Sequence, residues 1–317
     1  MNRRQFLKAS SSMVMTSALF SQKSFGESQG GALKAIDVQN YLRTLCDVVE
    51  PSSDRIIIGD PNTEVTKMGT CWMPYWKTLK KAVSEGVNTL IVHEPTFYAH
   101  WDLDHKEEDY WLRIEIDLGS MNKKSPEAAR AAYIALMEKK KQWIEEHGLV
   151  IIRCHDVMDK IAEFGIPYAL GQALGFTNND IIRSRTFYNV YRIDPAPAID
   201  VAKHIATQFN SVGQPGVAFY GDPQYMVKSV GLGTGCICNP IDFMDLNPDL
   251  YISIDDTIRT WIQTTYAEDS GQPLVVINHG TSEEFGPRTM NTHLRTIYPD
   301  YEIIHFEQGC SYRWVVA

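Results

Sequence analysis

Residues Leu90 to Pro95 read LIVHEP, three apolar residues that end abruptly in an imidazole, a carboxylate and a proline. A continuous apolar run of this length is the signature of a strand buried on both faces of a parallel sheet, and Pro95 cannot continue its hydrogen-bond ladder. Two other segments repeat the pattern. VIIRCHDVMD sets His155 just past an apolar run with Asp159 four residues on, and VVINHGTSEE does the same with His279 and Glu283. In an α/β sheet the carboxyl ends of strands are where sites are built, so three strands deliver a histidine and an acid to that kind of edge.

Spacing supports a shared purpose. If each chain turns into a helix after its strand, residues i and i+4 lie on one face, so His155 with Asp159 and His279 with Glu283 can each approach one ion. His93 and Glu94 are adjacent and diverge in a regular strand, but the break at Pro95 lets both turn inward. An isolated histidine after a strand is an ordinary hydrogen-bonded residue; three coincident pairs are not so simply explained. Six nitrogen and oxygen donors, His93, Glu94, His155, Asp159, His279 and Glu283, exceed what one tetrahedral ion needs and point to two divalent metals. Imidazole and carboxylate without thiolate suit zinc, iron or manganese. On this reading the three strands lie in one sheet, with the C-terminal segment returning to the first lobe.

Elsewhere helix and strand signals alternate, which predicts an α/β fold of mixed sheets flanked by helices. Helices are expected over 37–49, 74–84, 125–146, 164–174 and 287–297, and strands in GLVIIRC, PLVVIN, YEIIHF and YRWVV. From residue 181 the segment RSRTFYNVYRID is rich in β-formers, marking a second lobe over 179–269 against a metal-binding lobe of 32–178 plus 270–317. Gly231 to Gly235 (GLGTG) follows a strand but lacks a P-loop lysine.

The first 26 residues carry Arg3 and Arg4, a short apolar run from Met13 to Phe20 and the small residues Ser24 to Gly26, and so resemble a twin-arginine export signal. This predicts a periplasmic or secreted protein exported folded. Removing that segment takes away four cations and moves the formal charge from −9 to −13, which argues against nucleic-acid partners. No later run is apolar enough for membrane insertion. Six cysteines (46, 71, 154, 236, 238 and 310) include no CxxC pair, and buried, inert thiols are expected.

The motifs also carry a family resemblance. LIVHEP resembles a paired-histidine strand end, HDVMD with FGIPYALGQALGF a His/Asp segment and its LGL-type helix, and NHGTSEEFG the GHxxSE signature of the Nif-three-like family, also called dinuclear metal-centre proteins or GTP cyclohydrolase I type 2 homologues. The resemblance implies a two-lobed fold, often a toroidal homo-hexamer, with a metal pair facing the interior. It places His93 and Glu94 at the family's adjacent histidines, Asp159 at an aspartate ligand, and His279 and Glu283 at the last two ligands, Glu283 bridging the metals. His155 matches a residue near the site. Glu94 stands where the family has histidine. The family's TGD-like segment reads SIDDTIRTW here, with Ser253, Ile254 and Asp255 at its first positions and Arg259 near a histidine's place. Residues 96–147 form a longer insertion in which His100, Asp102, Asp104 and His105 are read as solvated rather than as extra ligands or a lid. The expected activity is metal-dependent hydrolysis of a small-molecule substrate, with Glu284 as general base. The alternative is a metal-binding or metal-handling protein without turnover.

Overall fold

Two mixed sheets, each closed by its own helices, meet along one seam in the computed structural model, which describes residues 31–98, 100, 102–103 and 127–315. Residues 1–26, read above as an export signal, and Asp104 and His105 lie outside the described residues.

The first sheet has the order β1-β4-β3-β2-β11, with β1 Ile56–Ile58, β2 Met68–Cys71, β3 Thr89–Val92, β4 Val150–Arg153 and β11 Ile303–His305. Strands β11, β2, β3 and β4 run parallel, while β1 is antiparallel at the edge. Every residue of β2, β3 and β4 is buried, as a sheet covered on both faces requires. Helices Ala35–Leu42 and Phe285–Ile297 close one face through Val38, Met290 and Leu294. The other face is closed through Leu79, Ala82 and Ile144 by helices Trp76–Ser84 and Glu127–Glu146.

The second sheet is ordered β5-β6-β8-β9-β10-β7, comprising β5 Ile181–Arg185, β6 Tyr188–Pro197, β7 Ala218–Tyr220, β8 Met226–Gly233, β9 Leu250–Ile254 and β10 Leu274–Ile277. Its core gathers Ile205 and Phe209 of helix Ala198–Phe209 and Leu170 of helix Ile166–Ala173 against Val230, Ile252 and Val275.

Several sequence expectations are corrected. The strand before His279 is β10, which pairs with β9 and β7, so the three histidine strands do not share one sheet. After β10 the chain returns to the first lobe, helix Phe285–Ile297 packing on the first sheet and β11 joining it. The first helix stops at Leu42, where the Thr44 hydroxyl caps the Tyr41 carbonyl, and Val49 is left exposed. The described part of YRWVV, Tyr312 to Val315, is non-regular and exposed instead of a strand. Strands β1, β2, β7 and β9 are additional to the expected ones: β2 is the four-residue MGTC, whose glycine and lack of alternation leave no periodic signal.

Candidate metal centre

The carboxyl ends of β2, β3 and β4 from one sheet and of β8, β9 and β10 from the other face a common crevice, and each end contributes a side chain or a close backbone approach. His93 and Glu94 follow β3, and His155 follows β4 and opens helix Asp156–Lys160. Asn278 and His279 follow β10 at the start of helix His279–Glu283.

All six sequence-derived residues converge there. Both i,i+4 pairs share a face: His155 Nδ1 lies 3.5 Å from Asp159 Oδ2, and His279 Nε2 lies 3.0 Å from Glu283 Oε2. The same Glu283 oxygen is 3.2 Å from His93 Nε2, so it sits between imidazoles delivered by different sheets. Glu94 Oε1 approaches His279 Nε2 at 3.2 Å, and Asp159 Oδ1 approaches His93 Nε2 at 3.9 Å. The His93 and His155 rings stack at 4.5 Å. Two triplets could each hold an ion, His93 with His155 and Asp159, and His93 with Glu94 and Glu283.

Whether a metal suits these residues can be tested on the residues themselves. His93 is wholly buried, yet neither ring nitrogen has a hydrogen-bond partner, and His279 Nε2 is likewise unsatisfied. Buried polar atoms rarely go unpaired without a reason. Electrostatics agree. Burial opposes charge on His93, but Glu283, Asp159 and Glu94 outweigh it and push its pKa up to about 9. Burial likewise raises Glu94, but the neighbouring His279 imidazole prevails and holds it at about 2. Three buried carboxylates thus draw positive charge into their midst, and nitrogen and oxygen donors suit a divalent ion. Gly235 completes the cradle: its backbone is left-handed at φ +46°, and a Cβ there would come within 2.5 Å of Glu283 Oε1. The residues fit a metal centre.

Sequence reasoning missed the groups that orient this set. Trp72 Nε1 donates to Glu283 Oε2 at 2.8 Å. The Thr234 hydroxyl donates to Asp159 Oδ1 at 2.5 Å and lies 3.2 Å from Glu283 Oε1. Asp256 Oδ2 accepts from His279 Nδ1 at 2.7 Å, which leaves Nε2 facing the cluster. Asp255 holds the neighbouring backbone, accepting from His279 N at 3.0 Å. SIDDTIRTW therefore orients His279. GLGTG, read as a poor phosphate loop, instead brings Thr234 and Gly235 against the carboxylates.

Two readings are corrected. Glu284, expected as a base, is fully buried and turned away, accepting from His305 Nε2 at 2.7 Å and from the amides of Gln308 and Gly309 at 3.1 Å. Asp102 is not solvated: it is fully buried and its Oδ1 takes the amides of Thr96 and Phe97. His100 is half-buried, its ring edge-on to that of His155 with centroids 5.3 Å apart. All six cysteines are unpaired, and Cys71, Cys154 and Cys238 are buried.

A profile of the Duf34/NIF3 (NGG1p interacting factor 3) family matches residues 130–309. The chain belongs to the NIF3 family. That span holds His155, Asp159, His279 and Glu283 but not His93 or Glu94. Solved structures agree on the fold. A hypothetical protein from Staphylococcus aureus superposes with a TM-score of 0.67 at 17% identity, covering 90% of this chain and 100% of that one. A NIF3-related protein from Bacillus cereus gives 0.68 at 12% identity, covering 90% and 100%. Reduced HcgD from Methanocaldococcus jannaschii gives 0.59 at 17% identity, covering 86% and 97%. No curated protein matches the sequence.

Proposed function

We propose that this NIF3-family protein is a dinuclear metal-dependent hydrolase acting on a small molecule. The observation that carries the reading is Glu283 Oε2 lying 3.2 Å from His93 Nε2 and 3.0 Å from His279 Nε2, flanked by two donor triplets that share His93. His93, Glu94, His155, Asp159, His279 and Glu283 would hold the ions, Glu283 between them. Ions bound there would supply Lewis-acid polarisation of a substrate oxygen and make water a stronger acid. The chain's own part is preorganisation. Trp72 and Thr234 fix the Glu283 carboxylate, Asp256 fixes the His279 tautomer, and burial strengthens the two contacts to Glu283.

Purified protein loaded with zinc, iron or manganese and assayed against phosphoester, amide and cyclic-amidine panels tests this. Turnover that chelation abolishes and metal restores is expected. No turnover with any panel, by a protein that retains its metal, favours the second reading, a metal-handling protein. Burial favours that alternative, since His93, Glu94, Asp159 and Glu283 are each at most 8% exposed.

The proposal includes folded export to the periplasm on the strength of Arg3 and Arg4. Replacing both with lysine is expected to hold the precursor in the cytoplasm, and unaltered export refutes it. It also includes a homo-oligomer of up to six copies, supported by exposed Trp261, Ile262 and Tyr266; a monomeric mass by light scattering refutes that. Among the described residues no helix is long and apolar enough to cross a membrane.

A further inference from the structure

The largest fully buried side chain among the described residues is a cation, Arg153 at the end of β4. Its guanidinium crosses to the end of β3. Nε donates to the His93 carbonyl at 3.0 Å, and Nη1 donates to the His100 carbonyl and lies 3.4 Å from Asp102 Oδ2. Nη2 has no hydrogen-bond partner, and 3.7 Å away lies Glu94 Oε2. That distance is too long for a hydrogen bond and short enough for an ion pair. The other oxygen of Glu94, Oε1, faces His279 Nε2 at 3.2 Å.

We propose that Arg153 is the positioning residue of the metal centre, holding Glu94 through Oε2 so that only Oε1 is presented to the ion. The proposal rests on reading the cluster as a metal centre and is independent of hydrolysis. A role confined to tying His93, His100 and Asp102 together accounts for Nε and Nη1 but not for Nη2, the nitrogen left without a hydrogen bond, which is aimed at a ligand. Unguided, a glutamate beside a cation can bind through one oxygen or two. A guanidinium fixed on one oxygen removes that choice. The same side chain bonds the His93 carbonyl, so it sets both ligands that follow β3. Its positive charge is matched on its far side by Asp102, so Glu94 is steered without being wholly neutralised.

Cobalt(II), titrated into metal-stripped full-length protein and followed by visible absorption, supplies the test. Arg153→Met combined with Asp102→Asn removes both buried charges together, so neither is left unpaired. This pair is expected to weaken the looser cobalt equivalent about 10–100-fold and to alter its absorption band. Glu94→Gln alone is expected to weaken the same equivalent. Because Arg153 acts through Glu94, adding the pair to Glu94→Gln is expected to cost little more than Glu94→Gln alone. Fully additive losses, or wild-type affinity in the pair, overturn the proposal. Should the pair fail to fold, Arg153→Lys keeps the charge but loses the planar fork; a native circular dichroism spectrum with cobalt bound at least about fivefold more weakly is expected, about 1 kcal/mol, and wild-type affinity overturns the proposal. A wild-type chain that binds no cobalt overturns the metal reading as well.

Discussion

Substituting Gly235 with alanine tests the architecture of the centre without touching a donor atom. The residue sits at φ +46°, where an L side chain costs about 1–2 kcal/mol. The added Cβ would lie 2.5 Å from Glu283 Oε1 and 3.3 Å from His279 Nε2. A relaxed carbon contact is roughly 3.5 Å, so the carboxylate has to move by roughly 1 Å. Metal–ligand bonds tolerate deviations of about 0.2 Å, so the same displacement takes Glu283 out of bonding range or twists its other oxygen from His93 and His279. Gly271 supplies the control: it is left-handed at φ +69°, and a Cβ added there would meet nothing within 4 Å. Gly271→Ala therefore carries the backbone cost alone, and the difference between the two variants isolates the push on Glu283. Calorimetric titration with zinc is expected to show unchanged affinity in Gly271→Ala and at least tenfold weaker binding in Gly235→Ala, about 1.4 kcal/mol. Equal affinity in the two variants would refute the idea that this backbone shapes the centre.

Three further expectations follow from the same geometry. Glu283→Ala should lose both metal equivalents on dialysis and Glu94→Ala one, with Glu94→His the milder change at that position; elemental analysis finding two equivalents in Glu283→Ala excludes bridging. Asp256→Asn should weaken metal binding about 10–100-fold by releasing His279 Nδ1, and an unaltered titration argues that the tautomer is fixed by other means. Burial lowers the Lys140 pKa to about 8, with Asp102 opposing. The unfolded chain then binds more protons between about pH 8 and 10.4, so this residue's contribution to stability rises with pH across that window by up to about 3 kcal/mol. Urea midpoints for wild type and Lys140→Met at pH 7.5 and 9.5 should diverge accordingly; a wild type that falls relative to the variant contradicts the burial argument.

The legible parts of the centre were those in which local sequence and local structure coincide. LIV and VII are buried wholly, and the residues after them face the crevice, because a parallel strand covered on both sides has nowhere to put polar groups except at its end. The two i,i+4 pairs were legible for the same reason, each lying in one helical turn. What could not be read is what comes from far away in the chain. Trp72 and Glu283 are separated by 211 positions, Thr234 and Asp159 by 75, and neither tryptophan nor threonine stands out as an orienting group in a linear reading. Asp102 reads as solvated because a charged residue is ordinarily exposed, and only the fold shows it buried 3.4 Å from the buried Arg153. The placement of β10 was missed because convergence of ligands does not require a common sheet. Strand ends from two sheets can face one another across a seam.

That seam has a mechanical meaning. Four of the candidate donors are carried by the first sheet's side and two by the second's, so an ion held among them is a rivet between bodies with separate cores. Occupancy then reports on assembly: binding draws the halves together by the free energy of binding, and withdrawing the ion leaves three buried carboxylates at the joint with only imidazoles to offset them. Chelation is thus expected to loosen the joint before either core melts, turning one cooperative unfolding event into two.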